Sequence, residues 1–141
     1  MIAEALITSN KVVEFIFQEA GYFRFLHTTN TIEKAKSICE NGFWYKNFNK
    51  TTDYVCDPVS LAYMLNIRKY YGDFTLIIQL CKNICSYEKI SKMEYDEEGD
   101  EVFILPPQYI KGVYDRRTNE IYANPLFNIE NTSIANILST F

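Results

Sequence analysis

The 141-residue chain lacks the features that mark membrane and secreted proteins. No apolar run approaches the ~20 residues that a membrane-spanning helix needs. The first residues contain Glu4 and no basic segment of the kind that begins a signal peptide. We therefore expect a cytoplasmic location, either in the producing cell or in a host cell that receives the protein.

Basic charge, histidine and paired cysteines are also scarce. The formal charge is −4, with 14 Lys and Arg against 18 Asp and Glu, which disfavours a broad nucleic-acid-binding surface. The four cysteines show no CxxC spacing, and a single histidine cannot complete a His/Cys zinc cluster. We expect no metal site, and we expect buried free thiols in a reducing compartment.

The remaining composition is that of a folded globular protein. Hydrophobic residues make up 48% of the chain and charged residues 23%. The length predicts one domain spanning residues 1–141. Aromatic residues reach 16%, with 11 Tyr and 10 Phe, and tyrosine forms flat walls for planar ligands as well as cores.

Periodicity and capping residues predict the order of helices and strands. The first part is expected to contain a helix from Asn10 to Gly21, a strand at Tyr22–His27, a helix from Asn30 to Gly42, a strand at Phe43–Tyr45, a helix from Asp57 to Gly72 and a strand at Phe74–Leu80. The second part is expected to contain an edge strand at Met93–Tyr95, a strand at Glu101–Leu105, a hairpin of Tyr109–Tyr114 with Glu120–Ala123 and a last helix from Asn131. Helices thus concentrate early and strands late, which predicts an α+β fold with a split, mainly antiparallel sheet and flanking helices.

Glu101 occupies a distinctive place in this pattern. It ends an acidic run and is followed at once by an apolar strand and then Pro106-Pro107. A carboxylate at such a boundary is held by the strand and still faces a ligand. We therefore expect the upstream part of the chain to form the side of the binding site that faces Glu101.

Three short motifs fall at the ends of predicted elements. They are His27-Thr28-Thr29, then Tyr54-Val55-Cys56-Asp57-Pro58-Val59-Ser60 with Tyr63 one turn later, and Glu101-Val102-Phe103-Ile104-Leu105-Pro106-Pro107. In order and local spacing they resemble the ADP-ribosyltransferases, in particular the His-Tyr-Glu branch with the poly(ADP-ribose) polymerases and diphtheria-type toxins. That family has His-Gly-Ser/Thr at the end of its first strand. Poly(ADP-ribose) polymerases then carry a tyrosine followed by Phe-Ala-Asp-x-Val-Ser, and residues 54–60 with Tyr63 resemble a version shortened by two residues. Mono-ADP-ribosyltransferases have a Glu-Val-Leu-Ile-Pro-Pro strand, which residues 101–107 resemble. The resemblance spans roughly residues 27–113.

The resemblance implies a compact ADP-ribosyltransferase-like domain that uses NAD as a substrate. A mono-ADP-ribosyltransferase moves ADP-ribose to a protein or other macromolecule and releases nicotinamide. Glu101 would stabilise the oxocarbenium-like charge on the ribose, as carboxylates do in glycoside hydrolysis. Tyr54 and Tyr63 would flank the nicotinamide ring. Ser60 would hold its carboxamide, and His27 would bond a hydroxyl of the adenosine ribose.

Two departures from the family pattern refine this expectation. Thr28 replaces the glycine whose backbone approaches the nicotinamide amide, so that approach is expected to be tighter or shifted. Gly99 lies two residues before Glu101, so the Glu-x-Glu pattern of arginine-directed transferases is absent. Arginine is therefore not the predicted acceptor, and with a charge of −4 a protein acceptor is favoured over a nucleic acid.

Other interpretations remain open at this stage. An RNA 2′-phosphotransferase would need arginines around its phosphates, and the arginines at 24, 68, 116 and 117 form no matching motif. A non-catalytic module that binds NAD or ADP-ribose, or binds another protein, would keep the fold without turnover. An unrelated interaction protein would use the aromatic residues as a contact surface. In that case His27 is structural and Glu101 belongs to a solvated acidic loop.

Overall fold

The computed structural model describes residues 10–45, 52–81, 103–105 and 107–127, without the side chains of 43–45, 81 and 103–105. Its helices are α1 (Asn10–Ile16), α2 (Ile32–Asn41) and α3 (Pro58–Arg68), with a 3₁₀ turn at Pro107–Tyr109. Its strands are β1 (Tyr22–Thr29), β2 (Phe43–Tyr45), β3 (Asp53–Val55), β4 (Phe74–Cys81), β5 (Phe103–Leu105), β6 (Ile110–Asp115) and β7 (Glu120–Ala123). None of these helices is long and apolar enough to cross a membrane.

Five strands form the main sheet in the order β3-β1-β4-β6-β7, and β2 pairs with β5 in a second, two-stranded sheet. Every pairing is antiparallel. The longest ladder joins β1 to β4 over their full lengths, from Tyr22↔Cys81 to Thr29↔Phe74. The structure therefore confirms an α+β fold with antiparallel sheets. Within the described residues the three α-helices all precede residue 70, and four of the seven strands, β4 to β7, follow it, as the sequence indicated.

Alternation along the strands divides the main sheet into two faces, each covered by helices. Phe25 packs in one core with α2 residues such as Ala35, and we call this side the α2 face. Its neighbour Leu26 packs in the other core with Val12 of α1 and Leu61 of α3, and we call that side the α1/α3 face. Since successive strand residues point to opposite faces, each strand position can be assigned to one side.

A β-bulge in β6 changes this alternation at one place. Ile78 pairs with Ile110 and Ile77 pairs with Gly112, so Lys111 is an extra residue in β6. Its ammonium group bonds the carbonyl of Phe15 at the end of α1, which places Lys111 on the α1/α3 face. Bulges commonly re-aim one side chain in this way.

The start of α3 confirms the prediction from Asp57 and Pro58. The Asp57 carboxylate accepts the N–H of Ser60 at 2.7 Å, and the Ser60 hydroxyl accepts the N–H of Asp57 at 3.1 Å. These reciprocal bonds form a capping box, with proline in the first turn. The start of α2 differs by one residue from the predicted one. Its N-cap is Thr31, whose hydroxyl accepts the N–H of Lys34 at 3.2 Å.

Two helix ends also differ from the prediction, and long-range contacts explain one of them. Helix α1 ends at Ile16 rather than Gly21, and the guanidinium of Arg24 on β1 takes the Ile16 carbonyl at 2.6 Å. Helix α3 ends at Arg68, and the chain then turns through Gly72 with φ +148°. A Cβ at Gly72 would lie 2.1 Å from the carbonyl oxygen of Thr29, so the close approach of this turn to β1 requires glycine.

The cysteine expectation is correct only in part. Cys39 and Cys56 are both free thiols. Cys39 is half-buried, and burial, followed by the charge of Glu40, raises the pKa of its thiol to about 11. Cys56 is exposed rather than buried. The predicted strand at Met93–Tyr95, the predicted last helix and Glu101 itself lie outside the described residues.

Candidate functional site

His27 and Tyr54 lie on the same face of two paired strands. His27 is on β1, half-buried, opposite Leu76 of β4 and on the α2 face. Tyr54 is on β3 and pairs directly with Phe25, two residues before His27. Such diagonal neighbours are about 7–8 Å apart, within reach of aromatic and long side chains. The structure thus brings together two of the three predicted catalytic residues.

The Tyr54 ring packs among other aromatic rings. Its centroid is 5.5 Å from that of Phe25, in a tilted arrangement, and 6.0 Å from that of Phe23, edge to face. Tyr54 remains only half-buried on β3, which forms one edge of the main sheet. The aromatic cluster therefore fixes the position of the Tyr54 ring on the α2 face.

Tyr63 is not brought together with Tyr54. It lies on α3 with 53% of its surface exposed. Helix α3 packs through Leu61 on the α1/α3 face, whereas Tyr54 belongs to the α2 face. The described structure therefore does not place the two rings on either side of one planar ligand.

The Ser60 hydroxyl makes three hydrogen bonds with the backbone at the start of α3. It accepts the N–H groups of Cys56 at 3.0 Å and Asp57 at 3.1 Å, and it donates to the Asp57 carbonyl at 3.0 Å. One donor and two acceptor positions are the full capacity of a hydroxyl. A contact between Ser60 and a nicotinamide carboxamide would therefore have to replace one of these bonds.

Thr28 follows His27 but points to the opposite face. Its hydroxyl lies 2.9 Å from that of Thr75 on β4 and accepts a bond from Arg68 Nε at 2.8 Å. The side chain is 8% exposed. The threonine that replaces the family's glycine therefore does not project from the His27 side of β1, and only its backbone can approach a ligand there.

Arg68 is a residue that the sequence did not single out for this site. It is 6% exposed, at the end of α3. Besides Thr28 it bonds Asp53 of β3, with 2.5 Å between Nη1 and Oδ2. Its guanidinium also stacks on the Tyr71 ring at 5.0 Å. No local pattern could reveal these contacts, because Thr28 is 40 residues from Arg68 in the chain.

A second polar cluster lies under the end of α1. Glu19 Oε1 accepts from Lys111 Nζ at 2.8 Å and from Gln79 Nε2 at 2.9 Å, and Arg24 bonds the Glu19 carbonyl. Burial acts to raise the pKa of Glu19, but the bonds from Gln79 and Lys111 and the charges of Lys111 and Arg24 together hold it below its usual value. Both cations are more than nine-tenths buried. The cluster therefore ties the end of α1 to three strands.

The structure also contains a cleft of about 580 Å³ between α2 and the β6–β7 hairpin. It is lined by Ile32, Lys36, Cys39, Glu40, Phe74, Val113, Asp115, Arg117, Tyr122, Ala123, Asn124, Pro125 and Leu126. Arg117 stacks on Phe74 at 4.7 Å and bonds buried Asp115, which holds the pKa of that carboxyl below its usual value. Neither His27 nor Tyr54 lines this cleft. It lies toward the β7 edge of the sheet, and they lie toward the β3 edge.

Glu101, the third residue of the predicted site, lies outside the described residues. It precedes β5 by two residues, and β5 pairs with β2, the strand that follows α2. Within the described ranges no group of three or more His, Cys, Asp and Glu side chains is arranged to hold a metal. The chain matches no protein-family model, and no curated protein or solved structure gives a significant match.

Proposed function

We propose that the protein is a mono-ADP-ribosyltransferase that takes ADP-ribose from NAD, releases nicotinamide and modifies a macromolecule, in the first place a protein. The observation that carries the proposal is the placement of His27 and Tyr54 on one face of adjacent strands. Both residues come from motifs that occur in the order of the His-Tyr-Glu transferases. The antiparallel α+β architecture is compatible with this proposal.

The reaction breaks the bond between the nicotinamide nitrogen and the anomeric carbon of the ribose. The electron pair of that bond leaves with nicotinamide, and positive charge develops on the ribose as in glycoside hydrolysis. Glu101 is the proposed carboxylate that stabilises this charge and accepts a bond from the ribose 2′-hydroxyl. The acceptor's nucleophile then bonds the anomeric carbon and loses its proton.

The other residues serve to bind and orient NAD. Tyr54, which is half-buried and packs on Phe23 and Phe25, would contact the nicotinamide ring. His27 would donate or accept one bond with the adenosine ribose. Ser60 has a smaller proposed role because its hydroxyl is saturated, and Tyr63 has none because it lies on the outer side of α3.

A non-catalytic module that binds NAD or ADP-ribose is the second candidate. It is favoured by the same saturation of the Ser60 hydroxyl and by the burial of the Thr28 side chain, because both residues serve the fold in the described structure. Such a module would bind the dinucleotide by His27 and Tyr54 without breaking it. Binding and turnover must therefore be measured separately.

The decisive variant is Glu101→Gln, which keeps the shape of the side chain and removes its charge. Loss of one preorganised group that stabilises a transition state typically lowers the rate by about 10²–10³. Nicotinamide release and transfer of label from NAD to a cell lysate should fall by that factor, while the affinity for NAD measured by calorimetry changes little.

Glu97→Gln and Glu98→Gln are matched controls, because they remove a charge from the same acidic run. Both should retain wild-type turnover. Equal activity in all four proteins would remove Glu101 from the mechanism. If the wild-type protein binds NAD without releasing nicotinamide, the binding module replaces the enzyme, and absence of NAD binding at millimolar concentration would reject both.

A further inference from the structure

We propose that Arg68 is a positioning residue of the NAD site, which acts from the opposite face of the sheet by holding the strand of His27 against the strand of Tyr54. This inference rests on the proposed function for its role in catalysis. Its structural part concerns only the geometry of β1 and β3, and that part can be tested without NAD.

The ladder between β1 and β3 stops where the proposed site begins. Its pairs are Arg24↔Val55, Phe25↔Tyr54 and Leu26↔Asp53, and among the described strands β3 pairs with β1 alone. His27 comes directly after the last of these pairs. A ladder of three pairs gives few backbone bonds between β3 and β1, so a side-chain connection between the two strands adds to what holds them together.

Arg68 continues the connection beyond that last pair. Its Nε bonds Thr28 of β1 at 2.8 Å, and its Nη1 lies 2.5 Å from the carboxylate of Asp53 on β3. Thr28 follows His27 on β1, and Asp53 pairs with Leu26, which precedes His27. The planar guanidinium thus joins β1 to β3 at the level of His27. Thr28 is in turn bonded to Thr75, so the same network also reaches the centre of the sheet at β4.

The geometry requires arginine rather than a simple positive charge. Two separate nitrogens bond two acceptors on different strands, and the plane of the group stacks on Tyr71 at 5.0 Å. A lysine ammonium is a compact charge on a flexible stem and cannot reproduce this planar fork. The Asp53 side chain is 36% exposed, so water can solvate it when Arg68 is replaced, and the fold should survive.

The test compares Arg68→Gln and Arg68→Lys with Arg24→Gln. Arg24 is the matched control because its side chain is buried on the α1/α3 face to the same degree as that of Arg68. Unlike that of Arg68, its guanidinium bonds the carbonyl of Ile16 at the end of α1 and makes no bond to β3 among the hydrogen bonds of the described residues. The chain has one histidine, so the Cδ2–H and Cε1–H signals of its imidazole are unambiguous in NMR spectra and report on the site directly.

In Arg68→Gln we expect the cross-strand NOEs of Leu26–Asp53 to weaken while those of Arg24–Val55 persist, together with a displaced His27 signal. The value of kcat/KM for NAD should fall by about 10–100-fold, because small misplacements of binding groups are costly in rate. Arg68→Lys should lie between Arg68→Gln and the wild type. Arg24→Gln should lower stability without changing the His27 signal or the rate per folded molecule.

Unchanged NOEs and an unchanged His27 signal in Arg68→Gln would overturn the positioning role of Arg68, whatever the value of kcat/KM for NAD in that variant. Wild-type kcat/KM in Arg68→Gln would overturn it as well. If the wild type does not turn over NAD, the proposed function fails, and the NMR comparison alone then decides whether Arg68 holds the two strands together.

Discussion

The two faces of the main sheet bury different kinds of residue. Beneath α2 the sheet contributes an apolar core centred on Phe25, Leu76 and Ile78. Beneath α1 and α3 it buries polar and charged side chains among the apolar ones: Arg24, Thr28, Thr75, Gln79 and Lys111. The α2 face also buries the polar side chain of Thr29 at the end of β1, and Asp115 and Asn124 toward the β7 edge.

This difference indicates that the two faces have different roles: the α1/α3 face connects the strands and helices to each other, and the α2 face carries the proposed site. The polar clusters of the α1/α3 face join elements that are distant in sequence: Glu19 bonds Lys111, and Arg68 bonds Thr28 and Asp53. The first bond ties the segment after α1 to β6, and the bonds of Arg68 tie β1 to β3. His27 and Tyr54 then project from the same strands on the other face, where they are half-buried and can meet a ligand. One face holds the strands, and the other presents the proposed site.

The largest effect should come from removing core volume on either face. Leu76 and Ile77 are adjacent, both fully buried, and belong to the two different cores. Leu76→Ala and Ile77→Ala should each lower the free energy of unfolding by about 3 kcal/mol, measured by urea denaturation. Leu76 pairs with His27 on its own face, so only Leu76→Ala should also shift the His27 NMR signal strongly. Equal shifts in both variants would contradict the different roles of the two faces.

A smaller loss is expected when the cluster under α1 loses its carboxylate. Glu19→Gln removes the carboxylate that faces buried Lys111 and Arg24 in the described structure. Breaking a fully buried pair costs about 3–5 kcal/mol. Because both cations keep carbonyl acceptors and the Glu19 side chain is 19% exposed, we expect about 2 kcal/mol. Glu14→Gln, on the exposed side of α1, is the control and should be close to neutral.

The charge of Glu19 also makes the stability of the protein depend on pH, and this dependence accounts for part of the loss expected in Glu19→Gln. The pKa of Glu19 is lower in the folded protein than in the unfolded chain. Its stabilising contribution is therefore complete above the unfolded pKa, about 4.3, and disappears as the pH falls through the folded value. Wild type and Glu19→Gln should converge in stability over this acidic range in urea titrations at a series of pH values. A difference that stays constant with pH would show that the charge of Glu19 is not responsible.

The strands and helices that the sequence predicted correctly have strong local signals. Alternation predicted β1, the Asp57-Pro58 pair predicted the start of α3, and the turn at residues 115–119 predicted the β6–β7 hairpin. Strand β3 was not predicted, because three residues at an edge show too little alternation. The bulge at Lys111 and the contacts of Arg68 were inaccessible for another reason. They depend on partners up to 96 residues away in the chain.

The candidate site was predictable only as a set of residues. The motifs named His27, Tyr54 and Tyr63, but the sequence could not show on which face each side chain lies. Register settles this, since Phe25 pairs with Tyr54 and places His27 and Tyr54 together, while α3 carries Tyr63 on the other side. A tyrosine pair that flanks a ligand requires both rings on one side of the sheet.

The smallest predicted effect separates these two tyrosines. Stacking on an aromatic wall contributes about 0.5–1.5 kcal/mol beyond burial, which is up to about tenfold in affinity. Tyr54→Leu keeps apolar bulk against Phe23 and Phe25 but loses the flat face, so nicotinamide and NAD binding should weaken by up to that factor. Tyr63→Leu should leave both affinities unchanged, because the ring is 53% exposed on the outer side of α3. Calorimetry on both variants, with folding checked by circular dichroism, gives the comparison. Equal weakening would mean that α3 brings Tyr63 to the ligand after all, and no weakening in either variant would move the nicotinamide away from the β3 edge.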